Sequence, residues 1–552
     1  MKAYFWCMIT ILGLSFSVTA QHNITTPELN TSPLYRKNIG KLVFLSKSIL
    51  SEQLTETDFL ESFQNSDGND LYLRVFMDNS LVNFLHTINP NLTVDELIQA
   101  GNFQFSFYAD DKLLYTENLN TGAGTFQSKT KGTTFQIPLI SKSGEDSWGR
   151  FLWSRFFFNG GGEAAFFSGK HKLTIEIRPY LKSGTTIKTG ALIAQGSLIV
   201  TAPIVSLSEN QIAIQKIAPK SDWQLATVTY DTTVIRVLNQ KIQEKRFKDI
   251  TSIVVIQNGK LVLEEYFNGS DRNTLHNTRS VGKSFASTLM GMALRDGYIK
   301  NENQTLNQFY KLKDFAHYSI SKENVTLKSL LTMSSGFDGS DQNPDSPGNE
   351  ESMYPTDNWV KFALDLPMDS EKQIGKNWDY FTAGVVLLGD ILNQRVPKGL
   401  ESYAATKLFN PLGIKSYQWQ YTPQNVANTA GGLQLRTLDL ARYGQLYANK
   451  GLWNGKQLLS KDWVEKSFTN YFPEDSNTPG YGYLFWKETF TVKGKNYEAF
   501  ACSGNGGNKV YIFQNVPLVI VITATAYNKP YAHPQVRRMM QEFLLPALIA
   551  QQ

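Results

Sequence analysis

The sequence predicts a two-domain protein, an all-β sandwich followed by a domain in which an antiparallel sheet is flanked by helices and carries a helical subdomain. Three observations point there. At 552 residues the chain exceeds the size at which one hydrophobic core keeps growing. From about residue 40 to 205 the apolar residues alternate, and beyond that stretch strand and helix periodicities are mixed. Between the two regimes lies a polar, proline-bearing segment at residues 206–223.

Composition sets the class. An apolar fraction of 41% against 19% charged residues can build a core, and 12% aromatic residues argue against long disorder. The formal charge of +5 is not gathered into a basic stripe, which argues against nucleic acid as a partner. Residues 1–20, MKAYFWCMITILGLSFSVTA, combine one basic residue, a short apolar run and small residues before Ala20, the pattern of a signal peptide. The mature chain is therefore expected to begin near Gln21 and to be exported, whether periplasmic, cell-surface-associated or extracellular. No later segment has the length of a transmembrane span. Cys7 falls in the leader, leaving Cys502 as the one mature cysteine and no intramolecular disulfide. With no Cys-His signature around it, Cys502 is read as a small buried strand residue rather than a nucleophile.

Residues 21–205 are assigned to the sandwich. Leu71, Leu73, Val75 and Met77 alternate, as do Phe103, Phe105 and Phe107, and Leu173, Ile175 and Ile177, with turn formers NSDGND and NGGG between runs. The aromatic run FLWSRFFF at residues 151–158 is expected in the sandwich core, with a ligand-stacking platform as the alternative. Residues 206–223 are the expected linker and residues 224–552 the second domain. That domain opens with a hairpin: residues 252–257 and 260–263 flank Asn258-Gly259, a dipeptide suited to a turn with two positive φ angles. Three more strands are expected at residues 497–503, 509–513 and 518–523, then a helical tail from Gln535, with a mainly helical middle. Strands from both ends can share one sheet around which the helices pack.

The chemistry concentrates at SVGK, residues 280–283. The following SFASTLMGMALRDG places Phe285, Leu289 and Met292 on one helical face and ends at Arg295 and Gly297, both C-terminal signals. Ser280 thus stands at a helix N-terminus, where unpaired N–H groups favour a developing oxyanion. Lys283 lies one turn further on the same face. A serine hydroxyl needs a neighbouring base, and a lysine serves when burial favours its neutral form. The spacing alone does not decide, because SISK at residues 319–322 repeats it; the polar surroundings of Ser319 select Ser280.

From about residue 250 to 548 the ordered landmarks resemble the serine β-lactamase and penicillin-binding-protein superfamily, in particular its class C β-lactamase and esterase branch. Ser280 and Lys283 match the first motif, LLTMSSGF at residues 330–337 resembles the approach to a Ser-Gly turn, and WDYFTAGVVLLGDIL places Tyr380 where the family's catalytic tyrosine falls. The stretch beginning TAGG at Thr429 is similar to the floor of the site, and YGYLFW from Tyr481 to a pocket wall. The resemblance implies a β-lactamase/transpeptidase-like fold and a third motif at Cys502-Ser503-Gly504. It also implies an oxyanion hole from the backbone N–H groups of Ser280 and Asn505, with Thr382, Ser503 and Gly504 supporting the substrate. A glycine-rich hairpin turn is the alternative reading of SGNGGN.

Two departures bear on substrate. Thr382 stands where the family usually carries asparagine, and Cys502 where it usually carries lysine or histidine, so a cation that would grip a β-lactam or peptide carboxylate is missing. The expected activity is hydrolysis of a small-molecule or peptide-like ester or amide through an acyl-enzyme on Ser280, with Lys283 and Tyr380 moving protons and no cofactor. The alternatives are a β-lactamase or D-amino-acid peptidase acting on cell-wall peptides, and a binding or sensor protein that keeps the fold without turnover. The six histidines show no paired metal-ligand spacing, and no GxSxG elbow is present. Oligomeric state is not readable from these patterns.

Overall fold

The computed structural model describes residues 23–549 apart from 29, 66–68, 142–146, 219–222, 227–229 and 473–479. The expected signal peptide, with Cys7, therefore lies outside the described residues. The chain divides into two compact units, Met1–Ser206 and Leu207–Gln552. Among the described residues no helix is long and apolar enough to cross a membrane.

The first unit holds two sheets over a common core. An antiparallel sheet pairs Leu42–Leu45, Leu71–Phe76 and Thr134–Ile140, and a larger, mostly antiparallel one is centred on Gly101–Ala109, Gly169–Ser183 and Ala194–Ala202. The alternation read from the sequence is the reason: Leu73 and Val75 from one sheet meet Phe103, Phe105, Phe107, Leu173, Ile175 and Ile177 from the other in one cluster. Tyr72 and Phe76 point oppositely, into a smaller cluster with Tyr35, so the middle strand of the small sheet is buried on both faces. The unit is not strictly all-β. Helices Leu81–Ile88, Val94–Ala100 and Trp148–Ser154 lie in the connections, and their short apolar runs are easily absorbed into the surrounding alternation. The aromatic run at residues 151–158 is helical, burying Leu152, Trp153 and Phe156 in the core while Phe151 and Phe158 remain exposed.

The second unit begins within the segment expected to be a linker. Gln215 donates its backbone N–H to Glu265 Oε1 and its side chain to the Tyr266 carbonyl, while Trp223 joins the main core. Strands β1 (Ile250–Gln257) and β2 (Lys260–Tyr266) form the hairpin, with Asn258 at φ +52° and Gly259 at φ +74°. Strands β3 (Trp486–Val492), β4 (Lys495–Gly504), β5 (Asn508–Phe513) and β6 (Leu518–Ala524) come from the far end of the chain. All six form one antiparallel sheet of order β2-β1-β6-β5-β4-β3. Almost every position of β1, β5 and β6 is buried, because both faces are covered. On one face pack helix α1 (Val281–Arg295) and the helical middle, including α2 (Thr382–Arg395) and α3 (Thr437–Ala448); on the other pack Thr232–Gln243 and the C-terminal helices from Ala532 onward.

The hairpin turn gives a test. A β-branched side chain at φ +74° is strained, so Gly259→Val is expected to destabilise the second unit by about 1–2 kcal/mol, read as a lowered midpoint in urea unfolding.

Candidate active site

Helix α1 carries two of the expected residues. It is buried on almost every face, since Val281 through Ala293 all lie between the sheet and the helical middle. Lys283 is 2% exposed in these surroundings. A buried amine is tolerated only when its polar hydrogens find acceptors. Lys283 Nζ donates to Ser280 Oγ at 2.9 Å and to the Ala430 carbonyl at 2.6 Å. Ala430 belongs to the TAGG turn, which is fixed in place by the Asn428 side chain accepting the Ala430 N–H and by Thr429 Oγ1 donating to the Val385 carbonyl of α2.

The chain enters Ser280 through strain. Arg279 has φ +52°, a left-handed conformation costing a non-glycine residue about 1–2 kcal/mol, and its guanidinium lies 4.4 Å from the Tyr527 ring centroid. The second copy of the motif is built differently. Ser319 Oγ caps the short helix Ile320–Glu323 by accepting the Lys322 N–H, and Lys322 Nζ donates to the Ala316 and Leu364 carbonyls, so that pair is occupied structurally.

Tyr380 reaches the pair from the turn before α2. Lys283 Nζ lies 5.1 Å from the Tyr380 ring centroid, and among the described residues the phenol hydroxyl makes no hydrogen bond. Its turn is braced from two sides. Met333, itself at φ +56°, accepts the Asp379 N–H on its carbonyl at 2.8 Å and the Phe381 N–H on Sδ at 3.3 Å. Asp341 donates its N–H to the Tyr380 carbonyl at 2.8 Å and accepts the Thr382 N–H on Oδ2 at 2.7 Å. Burial pushes the Asp341 carboxyl up to about 6, against the pull of Thr382 and the Lys283 charge. Aromatic rings wall this side: Trp486 lies 5.5 Å from Tyr380, and Trp378 and Tyr481 lie 5.6 and 5.1 Å from Trp486. Thr382 is the first residue of α2, and Lys283 does not use its hydroxyl, spending its hydrogen bonds on Ser280 and Ala430 instead.

The third expected motif ends strand β4. Cys502 is wholly buried, and burial raises its thiol to about 12, which makes it a packing residue rather than a nucleophile. Ser503 is half-buried opposite Lys509 of β5. Gly504 lies on the backbone that leads into the nucleophile: a Cβ there would sit 2.1 Å from the Thr278 carbonyl oxygen and 3.2 Å from the Val281 nitrogen. Only glycine permits that approach. Asn505 follows at once, its carboxamide locked to Asn528 by a 2.5 Å side-chain bond and a 2.9 Å bond from the Asn528 N–H. Among the described residues, the backbone N–H groups of Ser280 and Asn505 have no hydrogen-bond partner.

The structure thus brings Ser280, Lys283 and Tyr380 together and lays Gly504 against the Thr278–Val281 backbone, with Asn505 next along the chain. Asp341, Met333 and Trp378 escape a reading of sequence alone, since nothing in their spacing announces a contact with Tyr380. Only the conformational demand of MSSGF, with Met333 and Gly336 both at positive φ, leaves a trace there.

Residues 238–541 match the family described as Beta-lactamase. No curated protein matches the sequence. Among solved structures, the octameric penicillin-binding protein homologue from Pyrococcus abyssi is 20% identical over 56% of this chain and 76% of its own, with a TM-score of 0.43. EstCE1, described as a hydrolase with promiscuous acyltransferase activity, is 14% identical over 55% and 96%, with a TM-score of 0.45. A penicillin-binding protein homologue from Caulobacter crescentus is 15% identical over 57% and 98%, with a TM-score of 0.43.

The contact at Gly504 yields a prediction. Gly504→Ala forces β4 and the Thr278–Val281 backbone apart, and the expected cost of overpacking there is about 1–3 kcal/mol, measured by urea or thermal unfolding.

Proposed function

The chain belongs to the Beta-lactamase family, and from that premise we propose that it is an exported serine hydrolase that cleaves an ester or amide through an acyl-enzyme on Ser280. The observation that carries this reading is the 2.9 Å hydrogen bond between Lys283 Nζ and Ser280 Oγ, with the Ala430 carbonyl holding the other side of the amine.

In the first half-reaction Ser280 Oγ attacks the substrate carbonyl while its proton passes to the Lys283 amine, and Tyr380 delivers a proton to the departing alcohol or amine. Negative charge collects on the carbonyl oxygen, for which the free N–H groups of Ser280 and Asn505 are the donors. Each such donor is worth about 2.7–4 kcal/mol at the transition state. In the second half a water gives its proton to the Tyr380 phenolate and attacks the acyl carbon, and the Lys283 ammonium returns a proton to Ser280 Oγ as it leaves. None of these steps calls on a cofactor.

Substrate class follows from position 502. A buried cysteine there offers no charge to a carboxylate of a β-lactam or D-peptide, while the Trp378, Tyr380 and Trp486 rings offer apolar surface beside Lys283. An uncharged or apolar ester or amide fits these features better. Export rests on the leader at residues 1–20.

A fluorophosphonate probe with intact-mass and peptide readout tests the reading. One adduct is expected, on Ser280, with Ser280→Ala unlabelled and Lys283→Met slowed by about 100-fold or more. Equal labelling of the wild type and Ser280→Ala would sink it. A panel of nitrophenyl esters, a chromogenic cephalosporin and D-Ala-D-Ala peptides then reads substrate class, with esters expected to turn over fastest.

A further inference from the structure

Among the described residues, Asp341 is the carboxylate that hydrogen-bonds the turn carrying Tyr380 at that residue and at Thr382. Its N–H donates to the Tyr380 carbonyl and its Oδ2 accepts the Thr382 N–H at 2.7 Å, while Oδ1 accepts the Glu350 N–H at 2.9 Å. We propose that Asp341 is the positioning residue that holds Tyr380 against the Ser280–Lys283 pair, and that it does so as a carboxylate. The proposal rests on the serine-hydrolase reading of the same site.

The donor arithmetic supports it. Two separate backbone N–H groups point at the two oxygens, and a carboxylate accepts both. A carboxamide satisfies one and sets its NH2 against the other, and a protonated acid likewise presents an O–H to one of the two donors. The bond to Thr382 caps the first free N–H of α2, a helix whose preceding residue, Phe381, contributes no side-chain cap. Pulling Asp341 away therefore releases the Tyr380 carbonyl and the α2 N-terminus together, so the phenol loses both anchors on that side.

Electrostatics separates this role from simple packing. Burial places the Asp341 carboxyl near 6, above its unfolded value; the charged and titratable groups that face it are Lys283, Glu350 and Tyr354. A carboxyl raised on folding favours the folded state most when protonated, so its ionisation costs stability as pH rises through about 6. Positioning of Tyr380 runs the opposite way, being complete only above that pH. A fold that keeps a destabilising charge at this point is keeping it for the site.

The test is the rate of fluorophosphonate labelling at Ser280 in the full chain, followed from about pH 8 to about pH 5, for the wild type, Asp341→Asn and Thr382→Pro. Thr382→Pro deletes the N–H that Oδ2 accepts at a helix position where proline is well tolerated, and Phe381, at φ −132° and ψ 95°, already lies outside the α region that a following proline disfavours. The wild-type rate is expected to fall with a midpoint near pH 6. Both variants are expected to label about 30-fold more slowly at about pH 8. In Asp341→Asn the midpoint near 6 disappears, while its melting temperature at high pH stays close to that of the wild type. If Asp341→Asn unfolds, the Thr382→Pro rate decides. Labelling of both variants within about threefold of the wild type overturns the proposal, and so does an unchanged midpoint in Asp341→Asn. A wild type that is not labelled at Ser280 removes the hydrolase reading itself and this proposal with it.

Discussion

Lys283 is the constraint around which the second unit is arranged. An amine in the first turn of a buried helix has to be hydrogen-bonded, and among the described residues this one finds the Ser280 hydroxyl and the Ala430 carbonyl. Each acceptor imposes a condition on the chain. The hydroxyl has to stand one turn before the lysine, which fixes where α1 begins and forces Arg279 into a left-handed conformation. The carbonyl has to arrive from a turn more than a hundred residues away, which is why TAGG is anchored both to its own Asn428 and to α2.

The sheet supplies the remaining wall. Strand β4 comes close enough to the Thr278–Val281 backbone that a methyl group at position 504 has no room, and among the described residues the N–H groups of Asn505 and Ser280 on either side of that approach are unpaired. The Asn505–Asn528 clamp then keeps the strand end from relaxing. Strain at Arg279 and Met333 and the half-buried carboxyl of Asp341 all lie within this one region. Such locally unfavourable features persist where packing over-determines them, and their clustering around a serine and a lysine is what a reactive site requires.

Much of this was readable from the chain. Periodicity and the Asn-Gly turn marked five of the six strands of the main sheet in the second unit, edge strand β3 being missed, and the apolar stretch after Ser280 separated it from Ser319, whose hydroxyl proves to be a helix cap. Cys502 was legible as a packing residue. Local pattern did not reach the contacts made across long loops. Asp341 sits in a polar run, SDQNPDS, that reads as a solvated turn, and its meeting with Tyr380 depends on how residues 333–355 fold back. The short helices of the first unit were hidden for a related reason: an apolar run of six to eight residues between strands reads equally well as strand or helix until its packing is known. Thr382 shows the limit of motif transfer, since its backbone N–H, rather than its hydroxyl, makes the contact that bears on the site.

The most direct measurement of the central claim is a crystal structure of the phosphonylated protein. The account predicts phosphorus bonded to Ser280 Oγ, the phosphoryl oxygen within hydrogen-bonding distance of the N–H groups of Ser280 and Asn505, and Lys283 Nζ still held by the Ala430 carbonyl. Phosphorus on another residue, or a phosphoryl oxygen turned away from Asn505, would contradict it.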